Sequence, residues 1–573
     1  MHRSPLKRLT LRLLPFVFLP AAMEAANGFQ GRDAAPRGGG RIVISKSAGP
    51  RTFNRLLSFD DQTTAINNCL MGALIRINRQ TQQPEPELAE SWKISPDGKA
   101  ITFRLRRNIK YSDGATLSAD DVIFTFQVIN DPKVSTALSS QFEFGGRRVE
   151  VRKIDPFTVS FAFPAAYAAA VRLFDGLPIL PRHKLESIHR EGRFEQAWTL
   201  STPPEQIVGI GPFKLKSYVP GQRVVLVRNE NYWKTDAAGR RLPYLDELVF
   251  SLDPDRNTQL LKFQAGETDL ISPLNADEAN ALAPLERVGK IRITNLGPSL
   301  IREILWFNLN GGKPGVDPVK LVWFQDANFR RAVSHAMDRD AIVNLAFNGK
   351  ASPQWGFLST GDRLWHNPRV ARHPHDTMRA LSLLSASGFR FQSASKTLLD
   401  PQGRPVAFTL ATNAGNTLRQ KMASLIQEDL ARIGIKVNLA FLESRALLSR
   451  IDEGANYDAC LLAIVSGDAD PSSHMNILLS RGANHWWQPR QSRPATAWEA
   501  RIDQLMDRQM ITRAPAERRK LFDEVQAIMA DQQPFIFLAS RHLVVAAKSD
   551  IGNLKPALLP DFVLWNAEEL YRR

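Results

Sequence analysis

The chain has 573 residues, 43% hydrophobic and 23% charged, which excludes a single-core protein, since cores stop growing near roughly 250–300 residues, and excludes a largely disordered one. The formal charge of +16 raises nucleic acid as a partner. No block of like charges concentrates that excess, so the pattern argues against nucleic acid and for a solvated basic surface.

In chain order, Arg3, Lys7, Arg8 and Arg12 precede a short apolar stretch from Leu13 to Ala22. A basic start, a short apolar core and small residues predict an export signal over residues 1–26. The core is too short for a membrane span, which needs about 20 residues. Neither cysteine stands directly after it, so a lipid anchor is not expected and the protein should reach the periplasm soluble. Residues 27–40, rich in Gly and Arg, read as a linker. Order is expected to begin with the strand Arg41-Ile42-Val43-Ile44.

Pro96-Asp97-Gly98 marks a turn by residue type, and Ile101, Phe103 and Leu105 then alternate with polar residues as a half-buried strand. Ser118 with Asp121 predicts a capping box, followed by Val122, Phe126 and Ile129 on one helix face. Further on, Val406, Phe408 and Leu410 alternate. Leu418, Met422, Ile426, Leu430 and Ile433 recur at helical spacing, Gly434 fits a left-handed terminus, and Ile435, Val437 and Leu439 alternate again. That order is a βαβ unit with parallel strands. Ligands of such sheets lie beyond the carboxyl ends of the strands, so the loop from Thr412 and Asn413 to Asn416 is a candidate binding loop.

No zincin helix, phosphate loop or nucleophile elbow is present. Gly209-Ile210-Gly211 lacks the rest of a dinucleotide fingerprint. His373 and His375 flank a proline without an acidic cluster, and no metal or cofactor is expected. Asp468, Asp470, Asp60 and Asp61 are open to two readings, as acid–base carboxylates or as turn and cap residues. Trp355, Trp365, Trp486 and Trp487 read as core packing or as ligand walls. Cys69 and Cys460 are far apart in sequence and read as buried thiols, with a disulfide as the alternative.

Several segments together resemble one family, the bacterial extracellular solute-binding proteins of family 5, which includes dipeptide-, oligopeptide- and nickel-binding proteins of ABC importers. Leu88 to Trp92, Ser95 to Gly98, Tyr111 to Gly114 and Ala119 to Val122 look like its first block. Gly211-Pro212-Phe213 with Arg228 to Trp233 is similar to a second. Phe307-Asn308 with Phe329 to Arg339 is similar to a third, and Ile426 to Leu430 with Gly434 to Val437 to a fourth. The resemblance implies an α/β, two-lobed periplasmic binding protein fold (type II, cluster C-like) with an extra subdomain in the first lobe. The first lobe would comprise 41–80, 205–300 and 525–573, the subdomain 81–204, and the second lobe 301–524. It implies a monomer without enzymatic turnover that captures a peptide-like or amine-bearing solute and docks on permease subunits. The alternatives are a nickel- or sugar-binding member or a secreted hydrolase. By resemblance, Asp468 would hold a ligand amino group, and the loop carrying Asp60 and Asp61 would touch ligand. The arginine with which dipeptide binders hold the ligand carboxylate has no counterpart at Thr412–Asn416.

Overall fold

In a computed structural model, residue 36, residues 38–311 and residues 315–573 are described. The expected export segment and most of the linker therefore lie outside the described residues. Among those residues, no helix is long and apolar enough to cross a membrane.

Apolar alternation builds the first strand, Arg41–Lys46, with Ile42 and Ile44 buried. Ser118 caps the helix Ala119–Asn130 in a complete capping box with Asp121. The βαβ unit forms as strand Ala407–Asn413, helix Thr417–Arg432 and strand Lys436–Leu442, the two strands pairing in parallel. Gly434 takes φ +79° and lies so close to Leu398 N that a Cβ would sit 2.4 Å from it. Only glycine meets both demands.

One 12-stranded sheet runs through the molecule, and its central member is the long strand Ile536–Lys548. The Ile536 end pairs with Ile301–Phe307, and the Lys548 end pairs with Leu270–Leu274 and Ile291–Pro298. The sheet thus has two halves, each with its own apolar core. One core gathers Ile42, Phe53, Leu248 and Leu543. The other gathers Ile304, Phe408, Leu461 and Phe537. The chain passes between the halves at residues 299–300 and again inside the long strand.

Residues 81–204 carry a separate four-stranded sheet, in the order Ala89–Ile94, Ala100–Leu105, Thr158–Ala162, Glu150–Asp155. Its Phe103, Phe126, Phe161 and Phe174 are continuous with the first core. The expected return to the first lobe at residue 525 is too early. Val525, Met529 and Phe535 to Ala539 all pack in the second core, because the helix Pro515–Gln532 lays its apolar stripe there. Cys69 and Cys460 are buried free thiols, one in each core.

Candidate functional site

Strand direction locates the site before any side chain is considered. In the second half, Ala407–Asn413 runs parallel to Lys436–Leu442 and Ala459–Val465, and through Ile301–Phe307 all three share the direction of the long strand. They therefore run toward the first half. There, Arg41–Lys46 is parallel to Glu247–Leu252 and Leu270–Leu274, and the last of these is antiparallel to the long strand. The carboxyl ends of both sets face each other across the seam, where open α/β sheets bind ligands.

The first lobe brings Lys46, the last residue of its strand, whose side chain makes no hydrogen bond or ion pair among the described residues. Burial lowers its pKa, opposed by Asp561, Cys69 and Asp61. Asp60 is a helix cap, accepting from Thr63 N at 3.0 Å and from Ser58 Oγ at 2.7 Å. Asp61 is exposed on the first turn of the same helix. Beside this helix opens a recess of about 820 Å³, its solvent-open mouth included, lined among others by Asn68, Arg79, Asp175, Asp561 and Trp565. Burial works against the charge of Arg79, yet Asp175, Asp561 and Asp468 hold its pKa above the ordinary value. Asp468 of the second lobe therefore stands near this recess.

The second lobe brings Asn413 at the end of its strand, while Thr412 points into the core and donates to Leu461 O at 2.7 Å. Asn413 Oδ1 accepts from Arg419 at 3.0 Å, and Arg419 Nε lies 2.9 Å from Glu303 Oε2. Arg419, on the helix after Asn413, thus reaches back over the strand ends to a carboxylate on the interlobe strand Ile301–Phe307.

Asp468 does not stand free for a ligand amine. Arg172 of the 81–204 segment grips both its oxygens, with Nε donating at 2.7 Å and Nη2 also in contact. Arg172 Nη1 donates in addition to Gln82 O. More contacts close the same seam: Gln82 Nε2 to Gly361 O at 2.8 Å, Arg363 to Gln80 O, and Arg513 to the carbonyls of Ser95 and Pro96. Asp470 is bound by Arg518 through two contacts of 2.6 and 2.7 Å, both side chains being buried, and it caps the turn Pro471–His474. Beneath the loop, Arg302 donates to Ser466 Oγ at 2.8 Å and faces Asp362 at 3.5 Å. Burial there pushes the Asp362 carboxyl up to about 6, against Arg302 and the Ser359 hydrogen bonds.

Trp355 lies elsewhere. Arg339 stacks on its ring at 4.6 Å, in a second-lobe recess with Gln354, Asn367 and Val370 that no first-lobe residue lines. His373 bonds Ala530 O and His335, and no group of three metal-type side chains forms among the described residues. Of Thr412, Asn413, Asp60, Asp61, Asp468 and Trp355, Asn413 lies at a second-lobe strand end, Asp61 on an exposed first-lobe turn and Asp468 in an interlobe ion pair. Thr412 and Asp60 are held by the core and the helix cap, and Trp355 lines the second-lobe recess. Arg172 and Glu303 were not expected. Arg172 follows an alanine-rich stretch without periodicity, and nothing local marks it as reaching residue 468.

Comparison with known proteins agrees with this architecture. The profile of bacterial extracellular solute-binding proteins, family 5 middle, matches residues 83–486. A probable ABC transporter-binding protein of Deinococcus radiodurans is 28% identical over 490 residues, 82% of each chain. The oligopeptide-binding protein AppA of Bacillus subtilis is 26% identical over 552 residues, covering 94% of this chain and 93% of that one. Its structure with a nonapeptide superposes with a TM-score of 0.66, covering 94% of this chain and 100% of that one. NikA of Brucella suis, in complex with Fe(III)-EDTA, is 20% identical with a TM-score of 0.76, over 93% of this chain and 100% of its own. The profile spans most of the chain and the solved structures share its overall fold, and the chain belongs to the bacterial extracellular solute-binding proteins of family 5.

Proposed function

We propose that this solute-binding protein captures a peptide-like solute between its lobes in the periplasm and releases it unchanged to the permease subunits of an ABC importer, acting as a monomer without enzymatic turnover. The observation that carries this reading is the crevice itself: two cores linked by crossing strands, with both sets of strand ends facing inward. Such a body opens and closes, and a ligand touching both walls favours the closed form only by its differential affinity for the two states. Relatives named as oligopeptide- and dipeptide-binding proteins support the peptide class. The hydrolase alternative finds less support, since Asp60, Asp468 and Asp470 are committed to a cap or an ion pair.

Native mass spectrometry of the protein taken from a periplasmic extract tests this reading. The expected spectrum shows one small molecule per chain, released on unfolding with a peptide fragmentation pattern and an unchanged mass after prolonged incubation. A bound molecule that is converted with time contradicts it.

A further inference from the structure

The strand Ile536–Lys548 is buried along its whole length except at Arg541, His542 and Lys548. Successive side chains alternate between sheet faces beyond the bulge that precedes Ala539, so Ala539, Arg541, Leu543, Val545 and Ala547 share one face. The first belongs to the second core and the last three to the first core. Arg541 alone on that face meets solvent, and it does so where the two cores part. It stands at the seam between the two halves, where its carbonyl accepts from Ser299 N at 2.9 Å. His542, on the opposite face, is tied back by Asn295 and Ser352.

The neighbours of Arg541 leave its charge uncompensated. Glu303 lies opposite Ala539 in register and so shares the face of Arg541. Its carboxylate is already taken by Arg419 at 2.9 Å. The Arg541 guanidinium itself has no hydrogen bond or ion pair among the described residues. Burial lowers its pKa, with Glu303 opposing and Arg419 adding to the effect. The strand position between the two cores sets this side chain at the seam of the two lobes. A guanidinium held there, with its planar fork unused, suits a carboxylate, which it can bind through two parallel hydrogen bonds.

We propose that Arg541 is the seat of the ligand's carboxylate, so that the crevice selects peptide-like solutes with a free acid end. This rests on the peptide reading above. The seat takes the place of the arginine missing after Ala407–Asn413. Because Arg172 already satisfies Asp468, selection falls on the acid end of the ligand and not on its amino end.

The test compares mixed tripeptides as free acids with the same tripeptides as C-terminal amides, by calorimetry on ligand-stripped full-length protein. A charged hydrogen-bonded pair contributes roughly 1.5–3 kcal/mol, so the acids should bind about tenfold tighter or more. In Arg541→Gln the two pools should bind alike, and Arg541→Lys should retain an intermediate preference. An unchanged melting temperature of the ligand-free variants shows that folding is intact. Equal binding of acids and amides by the unaltered protein, or an acid preference that survives Arg541→Gln, overturns the seat and leaves the peptide reading standing. Failure of both pools to bind overturns the peptide reading and the carboxylate seat with it.

Discussion

Arg518→Met is expected to destabilise the second lobe by about 3–5 kcal/mol, the usual cost of leaving one member of a buried pair uncompensated. Asp470 and Arg518 are 4% and 6% exposed. The guanidinium uses every face it has: both Asp470 oxygens, Ser472 Oγ at 2.9 Å, Gln509 Oε1 at 3.0 Å, and the Trp365 ring at 5.0 Å beneath it. Removing it strands a carboxylate in low dielectric. Asp470→Asn strands the cation instead, and the double variant should recover part of the loss, since neither charge then lacks a partner. Urea unfolding followed by tryptophan fluorescence measures all three. A loss below about 1 kcal/mol, the range of exposed pairs, would mean that Asp470 is solvated and available to a ligand after all.

Arg172→Ala should weaken ligand binding by about 5- to 150-fold while leaving the two cores intact. The Arg172–Asp468 pair bridges the lobes, so it contributes only when they are closed. Arg172 is 11% and Asp468 31% exposed, and solvent screening places the pair between the exposed and buried regimes, at roughly 1–3 kcal/mol. Each 1.4 kcal/mol removed from the closed form shifts the equilibrium about tenfold, and apparent affinity falls with the closed fraction. Arg172→Lys keeps the charge and loses the fork, so it should fall between. The opposite role for Asp468, as receptor of a ligand ammonium, has the opposite sign. If a ligand amine must displace Arg172, then Arg172→Ala frees the carboxylate and tightens binding. Calorimetry with the co-purifying solute distinguishes the two.

The residues that announced the fold are those whose partners lie nearby in the chain. Ser118 and Asp121 sit three positions apart, and Gly434 ends the helix it follows. The period-two and helical stretches from Val406 to Leu439 carry their own burial pattern, so the βαβ unit was legible residue by residue. From that unit the end of the strand at Asn413 followed directly. Thr412 turns into the core because period two sends neighbouring side chains to opposite faces. The charged contacts of the site were not legible, for a physical reason. Arg172 meets Asp468 across 296 positions, and no periodicity links residues brought together by lobe packing. Arg541 was hidden differently: it lies inside a strand that is apolar on both sides of it, and only the parting of two cores makes that one position open. The boundary near residue 525 failed similarly, since the helix Pro515–Gln532 gives no sign in sequence of which core takes its stripe.

The central claim is that two lobes hinge about residues 299–300 and the middle of the long strand to enclose a solute. Leu261 and Met378 are 63% and 76% exposed, on helices packed against the first-lobe strand Leu270–Leu274 and in the second core respectively. Both native cysteines are buried, so spin labels attached through Leu261→Cys and Met378→Cys report the lobe-to-lobe distance by pulsed electron resonance. The account predicts a distance distribution that shifts and narrows when the co-purifying solute is added and reverts when it is removed. Identical distributions with and without solute would contradict it.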